Sequence, residues 1–289
     1  MAAQEALWAY LFLLPALLGL VVFTAGPLLA ALALSLTRYE ITTPPVWIGL
    51  DNYARLLNDD QMGNALKNTL YYAVLVVPSV IVAGLALALL SNQKLPGISV
   101  YRGVFYAPAV ASAVGVSLLW AYMFNPQIGV LNYFLRTLGL PQQLFIESVS
   151  QAMPSIAAVA IWQSAGYFMV IFLAALYGIP REYYEAARID GAGPLQQFRS
   201  VTLPLISPAM FFVIVILLIS SLQAFDSIYV MTKGGPGNAT QTIVYRIYTL
   251  AFQQYAMGYG SAVAVLMFLM IMALTLVQLR LQSRWVHYD

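Results

Sequence analysis

The chain alternates long apolar segments with short polar ones. Crossing the ~30 Å hydrocarbon core of a membrane takes a helix of about 20 apolar residues. Six segments reach or exceed that length, at residues 7–36, 68–90, 104–124, 153–176, 206–230 and 258–279. The pattern therefore predicts an all-α, polytopic membrane bundle of six transmembrane helices.

The first apolar segment must be distinguished from a cleaved signal sequence. It contains Pro15 and Gly26-Pro27, and it has neither a basic stretch before its apolar core nor a small-residue cleavage site after it. Both features mark a secretory signal. We therefore expect this segment to be retained as a span.

The segment at residues 125–151 is polar enough to leave the membrane. Apolar side chains recur within it at the spacing of one helix face, namely Ile128, Leu131, Phe134, Leu135 and Leu138. We expect a helix that lies along the membrane interface and is ended by Gly139.

Composition agrees with a membrane protein and argues against several other classes. Hydrophobic residues make up 61% of the 289 residues and charged residues 8%, against about 25% charged residues in soluble domains. A net charge of +2 offers no basic surface for nucleic acid. The chain has no cysteine, a single histidine (His287) and no Gly-x-x-x-x-Gly-Lys-Ser/Thr loop. We therefore expect no metal centre, no nucleotide site and no catalytic cluster, and thus not an enzyme.

Residues 180–204 form a strongly polar run between the fourth and fifth apolar segments. Pro180 suits the first turn of a helix, and Asp190-Gly191 suits its end, because glycine accepts a left-handed backbone. Pro194 then begins a second short helix. The run therefore predicts a helix-turn-helix.

The first of these two helices has one face made of small side chains. Tyr183, Ala186 and Ala187 fall at i, i+3 and i+4, so the face allows the close approach of another protein. The alternative is a solvated loop in which Arg181 and Glu185 form an ordinary i,i+4 pair, worth only ~0.2–0.5 kcal/mol. The pattern alone leaves both interpretations open.

The same run resembles the EAA loop of permease subunits in binding-protein-dependent ABC importers. That loop combines Glu-Ala-Ala, Asp-Gly-Ala, a phenylalanine and Leu-Pro, which stand here at Glu185-Ala186-Ala187, Asp190-Gly191-Ala192, Phe198 and Leu203-Pro204. Two further motifs are similar to the carbohydrate-uptake (maltose, trehalose and glycerol-phosphate) branch of this family. They are Gly49-Leu50-Asp51-Asn52-Tyr53 in the first loop and Gly234-Gly235-Pro236 after the fifth segment.

The resemblance implies a type I ABC importer permease fold in a bacterial or archaeal cytoplasmic membrane. It implies four kinds of partner: a second homologous permease, two ATPase subunits that bind ATP and Mg²⁺, an extracytoplasmic solute-binding protein, and the sugar. The loop would dock into a cleft on the cytoplasmic ATPase through Glu182, Glu185, Ala186, Ala187, Asp190, Gly191 and Phe198. The basic residues divide almost evenly between the two sides, so the orientation rests on this resemblance.

The resemblance also divides the chain. Residues 1–66 would form the N-terminal span and an extracytoplasmic loop. Residues 67–280 would form the transmembrane domain, with the coupling loop at 180–204. Residues 281–289 would form a cytoplasmic tail.

Polar residues inside two neighbouring spans suggest a transport path, because polar groups are costly in lipid and should face a wet cavity. They are Gln163, Ser164 and Tyr167 in the fourth segment and Ser220, Ser221, Gln223 and Asp226 in the fifth. The alternative is that they join helices by hydrogen bonds. In the maltose-type member of the family, sugar contacts match Gln163, Ser164, Tyr167, Ser220, Ser221 and Ala224, and only Tyr167 keeps the residue type.

Three functions follow from these observations. The first is a permease for a sugar, of di- or oligosaccharide size. The second is a permease for glycerol 3-phosphate or a glycerophosphodiester, which the lack of basic groups in both polar spans disfavours. The third, of another class, is an ion-coupled secondary transporter with Asp226 as the coupling acid. Such a transporter has no reason to carry an ATPase-docking loop.

Overall fold

The computed structural model describes residues 2–93 and 95–285, and it describes the side chains of residues 8–93 and 95–282. Of the predicted tail at 281–289, only residues up to 285 fall within this range. His287 lies outside it.

The described chain is built almost wholly from helices. In chain order they are α1 (Ala2–Leu20), α2 (Gly26–Ser35), α3 (Asp51–Leu57), α4 (Asp60–Ser91), α5 (Ile98–Val110), α6 (Ala113–Met123), α7 (Val130–Thr137), α8 (Ala152–Tyr177), α9 (Arg181–Ile189), α10 (Pro194–Gln197), α11 (Leu203–Leu205), α12 (Ser207–Leu222), α13 (Asp226–Met231), α14 (Ile243–Tyr248) and α15 (Met257–Trp285). A short antiparallel pair, β1 (Thr37–Arg38) and β2 (Val46–Trp47), aligns Thr37 with Trp47. The all-α prediction is confirmed.

Five helical segments of the described chain are long and apolar enough to span a membrane: Trp8–Ser35, Asp60–Ser91, Ala152–Tyr177, Ser207–Met231 and Met257–Gln282. The pair α5 and α6 supplies a sixth if it is counted as one span. These are the six apolar segments of the sequence, extended by a few residues at several ends. The prediction of six transmembrane helices is therefore confirmed.

The third span is broken, although its sequence predicted one continuous helix over 104–124. α5 ends at Val110 and α6 begins at Ala113, and the two helices are bent by 95°. Ala111 takes up an extended backbone with ψ of 145°, and Ser112 follows with ψ of 130°. Pro108 lies in the last turn of α5 and has no N–H to donate, which weakens the helix just before the break.

The Cα positions divide the chain into two units. The smaller unit contains the chain up to Met62 and Arg246–Met270, and the larger contains Gly63–Tyr245 and the chain from Ile271 onward. In the larger unit α8 is the central helix, since α5, α12 and α13 all pack against it. Its inward side chains, among them Met153, Ile156, Met169 and Phe172, are almost fully buried. In the smaller unit the first span is mostly exposed, and only Ser35 at its end is buried among its described residues.

The predicted helix in the loop at 125–151 is present as α7, and Gly139, with a φ of +71°, follows it. Its buried residue is polar, and several of its large apolar side chains are exposed, unlike a helix that packs an apolar face against a core. Asn132 is fully buried, where it donates to the carbonyl of Gln143 (2.8 Å) and accepts from its N–H (2.9 Å). Tyr133, Phe134 and Leu138 are exposed. The position of this helix along a membrane interface stays a prediction.

Candidate coupling loop and substrate path

The predicted helix-turn-helix at residues 180–204 is present, and its turn is closed by glycine. α9 ends before Gly191, which has a φ of +84°. The Gly191 N–H donates to the carbonyl of Arg188 (3.0 Å), and the Ala192 N–H donates to the carbonyl of Ala187 (2.8 Å). These two hydrogen bonds form a Schellman motif, which satisfies carbonyls at the end of α9. The sharp stop therefore depends on the left-handed backbone at Gly191.

The second arm of the loop begins at Pro194 and continues without interruption toward the next span. α10 passes into a π-helical turn, Phe198–Thr202, and then into α11. The Gln197 amide donates to the carbonyl of Ala192 (2.7 Å), which fixes this arm to the turn. The hydroxyls of Tyr184 and Thr202 lie 3.0 Å apart and join the two arms. The loop is therefore a rigid helix-turn-helix whose two arms are joined by a hydrogen bond, and we call residues 180–204 the elbow.

The outer surface of this elbow combines charged and apolar side chains. Glu182, Glu185, Ala186, Asp190 and Gly191 are exposed, whereas Ala187 and Phe198 are half-buried. Ile189 is 86% exposed and Leu195 is 64% exposed. Apolar side chains this open to solvent at a loop tip are typical of a surface that binds another protein.

The polar residues of the fourth span lie on α8. Gln163 is half-buried, and its amide donates to the carbonyl of Ala111 (3.2 Å) at the break between α5 and α6. Ser164 is half-buried, and Tyr167 is 45% exposed, with its ring edge-on to Phe168. Gln163 therefore satisfies a carbonyl that the break sets free.

The polar residues of the fifth span lie at a second break, which the sequence did not predict. α12 ends at Leu222, α13 begins at Asp226, and Thr242 donates to the freed carbonyl of Ala224 (3.1 Å). Ser220, Gln223 and Asp226 are exposed, and Ser221 is buried. Non-helical backbone at membrane depth is tolerated only where it is buried in protein or lines a wet cavity.

The two polar sets lie on neighbouring helices of the larger unit, because α12 and α13 both pack against α8. α13 also packs against α6, so the helices that follow the two breaks are in contact. Tyr167, Ser220 and Gln223 remain open in this chain, whereas Ser221 is buried among its helices. Neighbouring helices of the larger unit therefore carry exposed amide and hydroxyl groups that can bind a polar solute.

One polar network in the smaller unit was missed by sequence reasoning. Asp59 accepts hydrogen bonds from Arg246 (3.2 Å) and from the Tyr259 hydroxyl (2.7 Å), and Arg55 lies 4.2 Å from the centre of the Tyr259 ring. The Arg246 and Asp59 side chains are 7% and 14% exposed. Burial raises the pKa of Asp59, but the hydrogen bonds from Tyr259 and Arg246 and the Arg246 charge outweigh it, so the pKa is lowered.

A second missed set of contacts holds the Gly-Gly-Pro turn in the larger unit. The side-chain amides of Asn64 and Asn68, on α4, donate to the carbonyl of Asn238 at 2.9 and 2.8 Å. The Ile243 N–H donates to the Thr69 hydroxyl (3.0 Å), also on α4. More than 160 residues separate the partners in each pair, for example 170 between Asn68 and Asn238, so no local pattern could reveal them.

Apolar helices of membrane-spanning length, with two broken spans and an exposed helical elbow, are the features of a multi-pass membrane protein. Residues 62–287 match the family described as binding-protein-dependent transport system inner membrane component. The chain belongs to that family and is a permease subunit of an ABC importer, a transport component rather than an enzyme.

Relatives along the whole chain agree. The sn-glycerol-3-phosphate transport system permease protein UgpA of Yersinia enterocolitica is 35% identical over 283 residues, covering 97% of this chain and 95% of that protein. The trehalose/maltose transport system permease protein MalF of Thermococcus litoralis is 33% identical over 282 residues, covering 96% and 94%. A chain in the crystal structure of a bacterial alginate ABC transporter with an alginate pentasaccharide-bound periplasmic protein superposes with a TM-score of 0.87 at 25% identity, covering 97% and 96%. The fold is the type I permease fold expected from the sequence.

Proposed function

We propose that this chain is a subunit through which an ATP-driven importer moves a sugar, of di- or oligosaccharide size, across a bacterial or archaeal cytoplasmic membrane. A second related permease, two ATPase subunits that hold ATP and Mg²⁺, and an extracytoplasmic solute-binding protein complete the importer. Residues 67–280 form its transport domain in this proposal. The observation that carries it is the braced, exposed elbow at residues 180–204.

The elbow suits insertion into a cleft of an ATPase subunit. Ala186 and Tyr183 are exposed on α9, so a partner can approach the helix closely on that face. Ile189 stands at its tip, and burying such a side chain contributes ~1.5–3 kcal/mol to binding. Glu182 and Glu185 add charge that selects a complementary surface. The hydrogen bond between the hydroxyls of Tyr184 and Thr202 means that a push on α9 also moves the arm leading to α12.

A sugar suits the polar side of α8, α12 and α13 better than an ion does. Gln163, Ser220 and Gln223 carry amides and hydroxyls, which both donate to and accept from sugar hydroxyls. Tyr167 presents an aromatic ring that can stack on a sugar face. The trehalose/maltose relative and the alginate transporter make carbohydrate the first candidate.

Glycerol 3-phosphate is the second candidate, because its permease is as similar to this chain as the sugar permeases are. A phosphate would favour a basic side chain on the path. The charged residue among the proposed path residues is instead Asp226, an exposed acid that would repel it. The proposal therefore favours a sugar over a phosphorylated glycerol. An ion-coupled transporter that uses Asp226 has no support from a family of ABC permeases.

The test is a charge reversal on the elbow with a matched control elsewhere. The complete importer is reconstituted in proteoliposomes, and uptake and ATP hydrolysis are measured with maltose, trehalose and sn-glycerol 3-phosphate. Glu185→Lys is expected to leave the complex assembled but abolish uptake. Glu147→Lys, the same change at an exposed residue of the 125–151 loop, should transport normally.

Two outcomes would contradict parts of the proposal. Normal coupled uptake by Glu185→Lys would remove the docking role of α9. Stimulation of ATP hydrolysis by sn-glycerol 3-phosphate but by neither sugar would replace the sugar with the second candidate.

A further inference from the structure

The two halves of the broken third span are attached to α8 in different ways. α5 contacts α8 at three points through hydrogen bonds or backbone atoms. α6 contacts α8 through Trp120 and Trp162, whose rings are edge-on with 5.5 Å between their centroids. All of these residues belong to the larger unit. The difference bears on how movement of the elbow reaches the substrate path.

The first tie lies at the end of α8 that leads into the elbow. The Arg102 guanidinium donates to the Tyr177 hydroxyl (2.5 Å) and to the carbonyl of Ser91 (2.6 Å). Ser91 is the last residue of α4, so the positive charge also lies at the negative end of that helix. Arg102 therefore joins the start of α5 to the ends of two spans.

The second tie is a direct approach of two backbones near the middle of α5. A Cβ atom on Gly166 would overlap the carbonyl oxygen of Phe105. Glycine is the residue that allows such an approach. α5 consequently rests on the backbone of α8, with no side chain between them at this level.

The third tie lies at the break itself. The Gln163 amide donates to the carbonyl of Ala111, and the chain then turns by 95° into α6. Backbone contact and hydrogen bonds thus hold α5 at three points along α8, whereas α6 packs mainly on α13. A displacement of α8 should carry α5 with it, while α6 changes its angle to α5 at the break.

We propose that α5 and α8 move as one lever, and that Ala111 and Ser112 form its hinge. Tyr177 lies three residues before Pro180, so a push on the elbow enters this lever directly. The movement of the lever then reaches the break between α5 and α6, beside Gln163 of α8. Arg102 and Gly166 are positioning residues for transport, because they keep α5 on α8 and touch no substrate. A hinge needs only a few residues that change their backbone angles. The inference rests on the proposed coupling to an ATPase.

The test uses pairs of spin labels, for which a chain without cysteine is well suited. Val100 on α5, Leu119 on α6 and Val170 on α8 are exposed and accept cysteine. Distances are measured by pulsed electron paramagnetic resonance in the complete complex in lipid nanodiscs, without nucleotide and after trapping with ATP and vanadate. The expected result is an unchanged Val100–Val170 distance and a changed Leu119–Val170 distance.

Two variants then break the lever. Gly166→Ala should push α5 away from α8, so the Val100–Val170 distance changes on trapping although ATP is still hydrolysed. Gly103→Ala is the matched control, because a Cβ there meets no other described residue within 4 Å. If Gly166→Ala fails to fold, Arg102→Leu tests the tie nearer the start of α5, because leucine can donate neither hydrogen bond.

The outcomes separate the lever from the proposed function. If the complex assembles and hydrolyses ATP but the Val100–Val170 distance changes, or neither distance changes, the lever is wrong and the coupling proposal stands. If the ATPase subunits do not bind the unlabelled chain, the proposed function fails first. A Val100–Val170 distance that stays unchanged on trapping in both Gly166→Ala and Arg102→Leu would also overturn the lever.

Discussion

The elbow at residues 180–204 and the Asp59 network are both polar, and they are built in opposite ways. The elbow is exposed, and the tie between its arms joins residues 18 positions apart. The Asp59 network is largely buried and joins residues 187 and 200 positions apart. The elbow is therefore a local structure held by backbone geometry, and the network is a long-range structure held by charge.

The difference decides what each part can tolerate. A local, exposed loop can lose a side chain and keep its shape, because each of its hydrogen bonds contributes only ~0.5–1.5 kcal/mol. Removing one partner of a buried ion pair is strongly destabilising, because the other charge is left buried without a counter-charge. The elbow should be sensitive to changes in backbone conformation, and the network to changes in charge.

The largest expected effect is at Asp59. Asp59→Asn leaves Arg246 buried without its carboxylate, and breaking a buried pair in this way costs ~3–5 kcal/mol of unfolding free energy. The measurement is the apparent melting temperature of the purified protein in detergent. Asp60→Asn removes the exposed carboxylate of the adjacent residue and should change the melting temperature little. Equal effects of the two substitutions would mean that the network does not stabilise the fold.

The Asp59 carboxylate also leads to a prediction of how the melting temperature depends on pH. Its pKa is lower when folded than the ordinary value of about 3.9. A group with a lowered pKa contributes stability that is fully present above the unfolded pKa and is lost as the pH falls through the folded pKa. The melting temperature should therefore fall as the pH drops below about 4, and Asp59→Asn should remove part of that dependence. An unchanged pH profile in the variant would contradict this role of Asp59.

An intermediate effect is expected at Gly191. A valine cannot adopt a φ of +84° without a strain of ~1–3 kcal/mol, so Gly191→Val should unwind the end of α9 and weaken binding of the ATPase subunits. Gly193→Val is the control, because Gly193 has a φ of −72° and no other described residue lies within 4 Å of its Cβ position. Co-purification of the ATPase checks the pair. Retention by Gly191→Val would show that the turn can be rebuilt without glycine.

The smallest expected effect is at Tyr184. Tyr184→Phe removes the hydrogen bond to Thr202 and nothing else, at a cost of ~0.5–1.5 kcal/mol. The elbow should still bind the ATPase, but uptake per ATP hydrolysed should fall because the arms are no longer joined. Tyr133→Phe, at an exposed tyrosine of α7 outside the elbow, is a matched control and should keep the parental ratio. If the two variants have the same ratio, the bracing has no role in coupling.

The comparison also explains what the sequence could reveal. The spans and the elbow follow from apolar length, proline and glycine, all of which act within a few residues. The partners of Asp59 and of Asn68 lie on distant segments, and neither carries a local signal. Polar residues within two spans predicted a transport path. Which of these residues are exposed depends on how the helices pack, and the sequence does not show that packing.

The two helix breaks could be predicted only in part from local sequence. The sequence 104–124 is apolar enough for one helix, and its Pro108 alone does not predict a bend of 95°. The break is explained by two residues of α8: Gly166 allows the backbone of α5 to approach closely near its middle, and Gln163 binds the carbonyl at its end. The same holds for the break at Gln223, where Thr242 supplies the hydrogen bond from a separate segment. Interruptions of this kind are set by the neighbours that accommodate them.

The exposed apolar side chains of α7 have a practical consequence for work with the 125–151 loop by itself. Its interior is an amide held by carbonyls, and its outside carries Tyr133, Phe134 and Leu138. Excised into water, for instance as an antigen for antibody selection, the peptide would hide those rings and aliphatic groups against other copies of itself. Antibodies raised that way would recognise aggregates, whereas immunisation with the lipid-embedded protein would present the native surface.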